Sequence, residues 1–130
     1  MLKKEIGMER YLTCIKNPEV RNAVTKLRLS NHDLRIEIGR HQNIPKHKRT
    51  CPICLSAVES EIHFVFQCAA YEPIRNTFLN ALQLRDQNFT RYDPAEKMNH
   101  IMSHLDTEVG YYIFRCFKIR SFLQVGTSTL

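Results

Sequence analysis

One short segment of the chain contains four side chains of the types that bind zinc. It begins with Cys51-x-x-Cys54, continues through eight residues to His63, and reaches Cys68 after four more. Three thiolates and an imidazole form the tetrahedral Cys3His set of structural zinc sites, with bonds of about 2.0–2.3 Å. Two sulfurs of one tight turn reach a single ion, and residues five positions apart can reach it from a short helix. The spacing predicts one structural zinc ion bound by Cys51, Cys54, His63 and Cys68.

Other interpretations of these residues stay open. A Cys-x-x-Cys pair also serves as a redox dithiol, although such pairs lie between a strand and a helix and need no downstream His and Cys. The cysteines can also be plain thiols and His63 a packed core histidine, but Phe64 and Phe66 would bury that imidazole and leave it in need of a partner. A filled Cys3His shell has no position for water, so a hydrolytic enzyme is least favoured.

Length and composition limit the class of protein. A chain of 130 residues suits a single domain, 1–130, whose modest core benefits from a metal. A hydrophobic content of 43% with 25% charged residues is typical of soluble globular proteins. The five cysteines are an odd number, and we find neither a signal-peptide core nor an apolar run near the roughly 20 residues of a membrane span. These features predict an intracellular protein, cytoplasmic or nuclear, in which Cys14 and Cys116 are core thiols.

Positive charge precedes the zinc motif. Residues 1–50 contain 12 Lys and Arg against 5 Asp and Glu, whereas residues 51–130 contain 7 against 8. The segment 40–49, which we call the basic loop, has four Lys or Arg, two His and no acid. It is either a solvated loop or an arm that contacts the phosphates of RNA or DNA. The second interpretation predicts these contacts: Arg28, Arg35, Arg40, Lys46, Lys48 and Arg49.

Apolar periodicity in the first part of the chain predicts helices. A loose stripe indicates an N-terminal helix within residues 1–18. Asn17-Pro18-Glu19 is a start signal for a second helix, and its apolar face consists of Val20, Ala23, Val24 and Leu27. Leu34, Ile36 and Ile38 alternate as in a strand, but an isolated strand would leave its edges unpaired, so we favour a short helix over residues 34–38, ended by Gly39.

Helices are also predicted in the second part of the chain. A short helix from Glu59 or Ser60 places His63 at the metal, and another begins at Tyr71-Glu72-Pro73. Residues 93–96 form a capping box, and the last helix runs from Asp106 to Gly126. Its apolar stripe is Val109, Tyr112, Ile113, Cys116 and Phe117. The predicted fold is a mainly α, small helical domain organised around one Cys3His zinc turn. Its regions are 1–18, the basic helical region and loop 19–50, the zinc motif 51–68 and the C-terminal helices 69–125.

Catalytic motifs are absent from the sequence. His100 and His104 have the spacing of a metal pair, but they lie opposite the apolar face of their helix and have no third ligand nearby. Acidic pairs such as Glu59 and Glu61 occur where helices begin, which explains them without acid–base chemistry. We find no phosphate-binding glycine loop and no serine nucleophile elbow. The chain is therefore predicted not to be an enzyme.

The zinc motif and its surroundings resemble a known family. The C-terminal zinc-binding region of non-LTR retrotransposon reverse transcriptases of the jockey type is similar to several parts of this chain. These parts are residues 27–34, 36–40, Ile44-Pro45, Arg49, the Cys-Pro-Ile-Cys turn, the segment 61–68, Tyr71, Arg75 and the closing segment 110–120. The resemblance implies an accessory domain that handles RNA or DNA beside a reverse transcriptase, and it supports the four zinc ligands. The Asp-Asp motif of a polymerase and the carboxylates of an endonuclease are absent.

Two functions follow as hypotheses. The first is a non-catalytic, zinc-stabilised nucleic-acid-binding accessory domain that contacts phosphates through the basic residues. The alternative is a zinc-stabilised module that docks a protein, or a second copy, on an apolar helix face such as Val109–Phe117, or a non-functional remnant of an element.

Overall fold

The computed structural model of the protein describes residues 15–128. Five α-helices follow one another in this range: α1 Pro18–Arg28, α2 Arg35–His41, α3 Glu72–Arg85, α4 Pro94–Ser103 and α5 Thr107–Ser128. The β-structure of these residues is one isolated antiparallel bridge between Thr50 and Val58. The prediction of a mainly α-helical fold is confirmed. Within the same range, no helix combines the length and apolar character needed to cross a membrane.

Helix α1 begins where the sequence predicts. The side-chain oxygen of Asn17 accepts hydrogen bonds from the N–H groups of Glu19 and Val20, at 2.9 and 3.3 Å, and Pro18 occupies the first helical position. The buried residues are those of the predicted face, Val20, Ala23, Val24 and Leu27. The helix predicted within residues 1–18 lies mostly outside the described residues, and residues 15–17 are not helical.

The end of helix α2 differs from the prediction. Gly39 lies inside the helix, which continues to His41. The left-handed residue that ends it is Asn43, with φ 57°, and the N–H of Ile44 donates to the carbonyl of Gly39 at 2.8 Å. Glycine is required at position 39 for a different reason, because a Cβ atom there would overlap Cγ of Arg49.

Helices α3 and α4 also begin at their predicted signals. Helix α3 starts at Glu72 and buries Phe78 and Leu82. At the start of α4, the N–H of Glu96 donates to the side chain of Asp93 at 2.8 Å, and the N–H of Asp93 donates back to Glu96 at 3.1 Å. This reciprocal pair is the predicted capping box.

Helix α5 provides the centre of the core and packs along α1. The carboxylate of Asp106 accepts a hydrogen bond from the N–H of Val109 at 2.9 Å, so the predicted start is confirmed. The predicted end at Gly126 is wrong, since the helix continues to Ser128. A glycine lowers helix stability by only about 1 kcal/mol relative to alanine, which one position in a long helix can tolerate.

The apolar face of α5 packs against other helices of the same domain. Its first four residues are buried against the other helices, and Phe117 packs partly buried beside them. They are Val109, Tyr112, Ile113 and Cys116. A protein partner therefore cannot reach the face Val109–Phe117 that the alternative function would use, because the domain's own core covers it. The burial of Cys116 agrees with its prediction as a core thiol, whereas Cys14 lies outside the described residues.

Gly110 sets how closely α1 approaches α5. A Cβ atom at this position would lie 2.8 Å from Cδ1 of Ile15 and 3.0 Å from Cγ1 of Val20. We expect Gly110→Ala to lower the free energy of unfolding by about 1–3 kcal/mol through overpacking, although alanine is the better helix former. Ile15→Val removes the Cδ1 atom that the new methyl group would meet. The double variant Ile15→Val/Gly110→Ala should therefore recover part of the stability that Gly110→Ala loses, as measured by urea denaturation. A stabilising Gly110→Ala would contradict this packing.

Candidate metal centre

The first two candidate ligands lie in a tight turn after the basic loop. The N–H of Leu55 donates to the carbonyl of Cys51 at 3.0 Å, and the N–H of Cys51 donates to the carbonyl of Ala57 at 2.8 Å. Leu55 adopts the left-handed conformation, with φ 60°, that closes the turn. The hydroxyl of Ser56 donates to the sulfur of Cys54 at 3.2 Å. These bonds direct both sulfurs of the Cys-x-x-Cys turn to the same side.

The other two candidate ligands are brought together by a wide helical turn. Residues His63–Gln67 form a π-helical turn, and the N–H of Cys68 donates to the carbonyl of His63 at 2.8 Å. In an α-helix, positions five apart lie about 140° around the axis and face different directions. The i to i+5 bonding of a π turn brings them back to one side. This local widening explains how a five-residue spacing serves one metal.

The four donor atoms converge on a common point. They all lie within 4.8 Å of one another. The sulfurs of Cys51 and Cys68 are 4.0 Å apart, and the sulfur of Cys54 is 3.3 Å from Nε2 of His63. A tetrahedral ion with bonds of about 2.0–2.3 Å would hold such atoms about 3.5–3.8 Å apart. The two individual separations lie within about 0.2 Å of that range, so these four residues could hold one metal ion after a small adjustment.

The protonation of these groups depends on burial. Burial raises the pKa of the Cys51 thiol to about 12 and also raises the pKa of Cys68. Burial lowers the pKa of His63. For Cys54, burial is the largest single influence and acts to raise the pKa, but hydrogen bonds with Ser56, Cys51 and Cys68 together lower the pKa. A bound cation would compensate the cost of keeping the buried sulfurs as thiolates, and metal binding would release their protons.

A buried ion pair supports the centre from the side of α5. The carboxylate of Glu59 accepts hydrogen bonds from Nε and Nη2 of Arg120 at 2.7 and 2.8 Å. It also accepts the N–H of Arg35 at 2.7 Å and lies 3.8 Å from the sulfur of Cys51. Arg120 reaches Asp33 as well, at 3.3 Å, and is only 2% exposed. One carboxylate thus connects the metal turn, the start of α2 and helix α5.

A second buried arginine holds the other side of the centre. Nε of Arg75 donates to the carbonyl of Val65 at 3.1 Å, and Nη2 donates to the carbonyl of Cys68 at 2.6 Å. The hydroxyl of Tyr112 donates to the same Val65 carbonyl. Arg75 therefore satisfies carbonyls that the irregular turn leaves without helical partners, and this fixes the position of Cys68.

The predicted phosphate contacts have different surroundings. Lys46 and Lys48 are exposed in a single 3-10 turn of the basic loop. Arg40 is also exposed, and its guanidinium pairs with Glu37 at 2.8 Å. Arg35 is half-buried at the first position of α2. The exposed cations beside the metal turn are thus Arg40, Lys46 and Lys48.

Two of the predicted contacts have bonds within the domain. Nε of Arg49 donates to the carbonyl of Ile44 at 2.9 Å, and its Nη1 donates to the carbonyl of Ile36 at 3.1 Å. Nη1 of Arg28 donates to the carbonyl of Met102 in α4 at 2.9 Å. These guanidinium groups hold backbone carbonyls of the domain in place. A phosphate would have to compete with those carbonyls for the same N–H donors.

Sequence reasoning missed the two buried arginines. Arg120 continues the apolar stripe of α5, four positions after Cys116, and Arg75 lies on the buried face of α3, three positions before Phe78. A cation on an apolar face signals a buried charge that needs a partner. The pair His100 and His104 stacks ring on ring, with centroids 4.5 Å apart. Among residues 15–128, the only cluster with metal-binding geometry is the Cys3His set.

We find no match when the chain is compared with protein-family models, with curated proteins and with solved structures. The function must therefore be inferred from the geometry of the centre and from the surface around it.

Proposed function

We propose that the ion of the centre is zinc and that its role is structural. Three sulfurs and an imidazole are the soft and borderline donors that zinc selects. All four positions of a tetrahedron are filled by protein atoms, which leaves no site for a water to be activated. The observation that supports this proposal is the convergence of the four donors within 4.8 Å. The domain is accordingly proposed to be non-catalytic.

We further propose that the domain binds the phosphate backbone of RNA or DNA through the basic loop. No Asp or Glu occurs between Glu37 and Glu59, and both of these acids are engaged with arginines. The exposed charges of this stretch are positive, so they attract phosphates and release condensed counterions on binding. The resemblance of the zinc motif to that of retrotransposon reverse transcriptases supports the same class of ligand.

The metal centre would hold the loop ready for binding. The N–H of Glu59 donates to the carbonyl of Arg49 at 2.9 Å, and Thr50 pairs with Val58 across the metal turn. Arg49, the last residue of the loop, in turn bonds to the carbonyl of Ile44 in the middle of the loop and to that of Ile36 in α2. A loop ordered before binding loses less conformational entropy when it meets its ligand.

Charge reversal tests this proposal. Three contacts, from Arg40, Lys46 and Lys48, predict that log affinity for duplex DNA falls with log salt at a slope of about −2.7. Lys46→Glu/Lys48→Glu should weaken binding at least about tenfold at low salt and reduce the slope to about −1. Fluorescence anisotropy with labelled duplexes over a salt series provides the measurement.

The matched control is Arg91→Glu/Lys97→Glu, which changes the net charge equally at positions 42 or more residues after the basic loop. It should leave the salt slope unchanged within about half a unit if the basic loop makes the contacts. Equal losses in both double variants would show that only the net charge matters. The absence of any binding at low salt would rule the proposal out.

A further inference from the structure

Helix α5 presents an exposed stripe of two aromatic side chains with two basic side chains between them. Tyr111, Arg115, Lys118 and Phe122 occur at i, i+4, i+7 and i+11, so they lie on one helical face. All four are exposed. This set, which we call the α5 stripe, lies on the side of the helix opposite the core residues, which are Val109, Tyr112, Ile113 and Cys116.

Exposed aromatic rings are rare in this domain. Of the large apolar side chains that are exposed in the described residues, two are aromatic, Tyr111 at 37% and Phe122 at 77%, and both belong to the α5 stripe. Tyr111 and Arg115 also border a groove of about 700 Å³ between α3 and α5, whose apolar floor includes Ile74 and Phe78. Exposed rings beside an open groove are available for stacking with a planar ligand.

Helix α5 contains a single acid, Glu108, which an arginine of α3 already engages. From Val109 to Ser128 helix α5 contains no Asp or Glu. The nearest acid before this segment, Glu108, pairs with Arg85 at 2.6 Å. The ammonium of Lys118 lies 5.4 Å from the ring centroid of Phe114, a partly buried ring of the same helix.

We propose that the α5 stripe binds single-stranded nucleic acid, with bases stacked on Tyr111 and Phe122 and phosphates at Arg115 and Lys118. Sites for single strands combine aromatic platforms with cations along the backbone, and each stacked base contributes about 1–3 kcal/mol. The two rings are about 16 Å apart along the helix axis, so the stripe spans several nucleotides. Bases of a duplex are stacked on one another and cannot reach these rings. This inference rests on the proposed nucleic-acid function and specifies the strand that is bound.

A single tryptophan gives a direct test of stacking. The chain contains no Trp, so Phe122→Trp introduces a unique fluorophore that preserves an aromatic ring. Adding a twenty-nucleotide oligo(dT) to the zinc-loaded full chain should quench its emission at least about twofold, whereas a duplex of equal length should not. Leu84→Trp, at a site that is 87% exposed on α3, is the control and should stay unquenched.

Removal of the rings tests their contribution to affinity. Tyr111→Ala/Phe122→Ala should weaken binding of oligo(dT) by about 5- to 150-fold for each ring lost, and leave binding of duplex by the basic loop unchanged. The conservative pair Tyr111→Phe/Phe122→Tyr should retain the affinity. Circular dichroism shows whether each variant has kept its helices. A variant that has lost them is replaced by Tyr111→Ser/Phe122→Ser.

The outcomes separate the two proposals. Unchanged oligo(dT) affinity in the ring-deleted variant, or unquenched Phe122→Trp, would overturn the α5 stripe as a single-strand site while the basic loop stands. Quenching by phosphatidylserine vesicles and not by oligo(dT) would assign the stripe to a membrane surface and also overturn it. Failure of the wild-type chain to bind any nucleic acid at low salt would overturn both.

Discussion

Removal of the metal is expected to unfold the domain. Structural zinc contributes about 10 kcal/mol or more in small zinc domains, which is as much as the total stability of an ordinary domain. Cys51, His63 and Cys68 are buried here, so the apo state would leave two thiols and an imidazole in the core without the ion that joins them. We expect one zinc per chain by metal analysis, and loss of most helical circular dichroism when a strong chelator is added.

Substitution of a single ligand should have the same effect. Cys68→Ala is expected to abolish stoichiometric zinc binding and the cooperative thermal transition. Cys116→Ala removes a buried thiol that lies outside the metal cluster, and should keep one zinc with a loss of about 1 kcal/mol. A Cys68→Ala variant that retains one zinc and the wild-type melting temperature would show that the Cys3His set is not the metal site.

Loss of Arg120 is expected to be the most damaging change outside the metal ligands. Arg120→Met would leave the carboxylate of Glu59 buried without its cation, at a cost of about 3–5 kcal/mol in the free energy of unfolding. Urea denaturation of the zinc-loaded variant measures this loss. Arg115→Met, an exposed position five residues earlier, is the control and should change stability by less than about 0.5 kcal/mol.

The double variant Glu59→Met/Arg120→Met tests whether the two side chains act as a pair. Replacing both charges with apolar groups removes the unpaired carboxylate, so the double variant should be more stable than the sum of the single effects predicts by about 2 kcal/mol. Additive effects, or an Arg120→Met variant as stable as Arg115→Met, would contradict the importance of this pair.

Structural features that depend on residues close together in the sequence were predicted well. The caps at Asn17 and Asp93 depend on hydrogen bonds that reach no further than three positions along the chain. The apolar faces of α1 and α5 follow from apolar residues that recur with the 3.6-residue period of an α-helix. The four candidate metal ligands were also identified from spacing, because only a few backbone geometries bring such residues to one ion.

Errors and omissions arose where distant residues meet. Gly39 was predicted to end α2, but its role is to make room for Arg49 ten positions later. The pairing of Glu59 with Arg120 joins residues 61 positions apart, and no local pattern indicates which acid a buried arginine will meet. The face Val109–Phe117 was considered for a partner, yet it is covered by α1 and α3.

The amino-acid sequence determined the helical class, the helix starts and the set of donors for a metal, because capping, periodicity and ligand spacing act within one or two turns of chain. Only the tertiary structure decided which cations remain at the surface. Arg49, Arg75 and Arg120 are used to satisfy buried carbonyls and a carboxylate, while Lys46 and Lys48 stay exposed. The physical reason is that a charged side chain is buried only where the packing provides a hydrogen-bonding or oppositely charged partner for it. The way in which the helices pack together determines which residue that partner is.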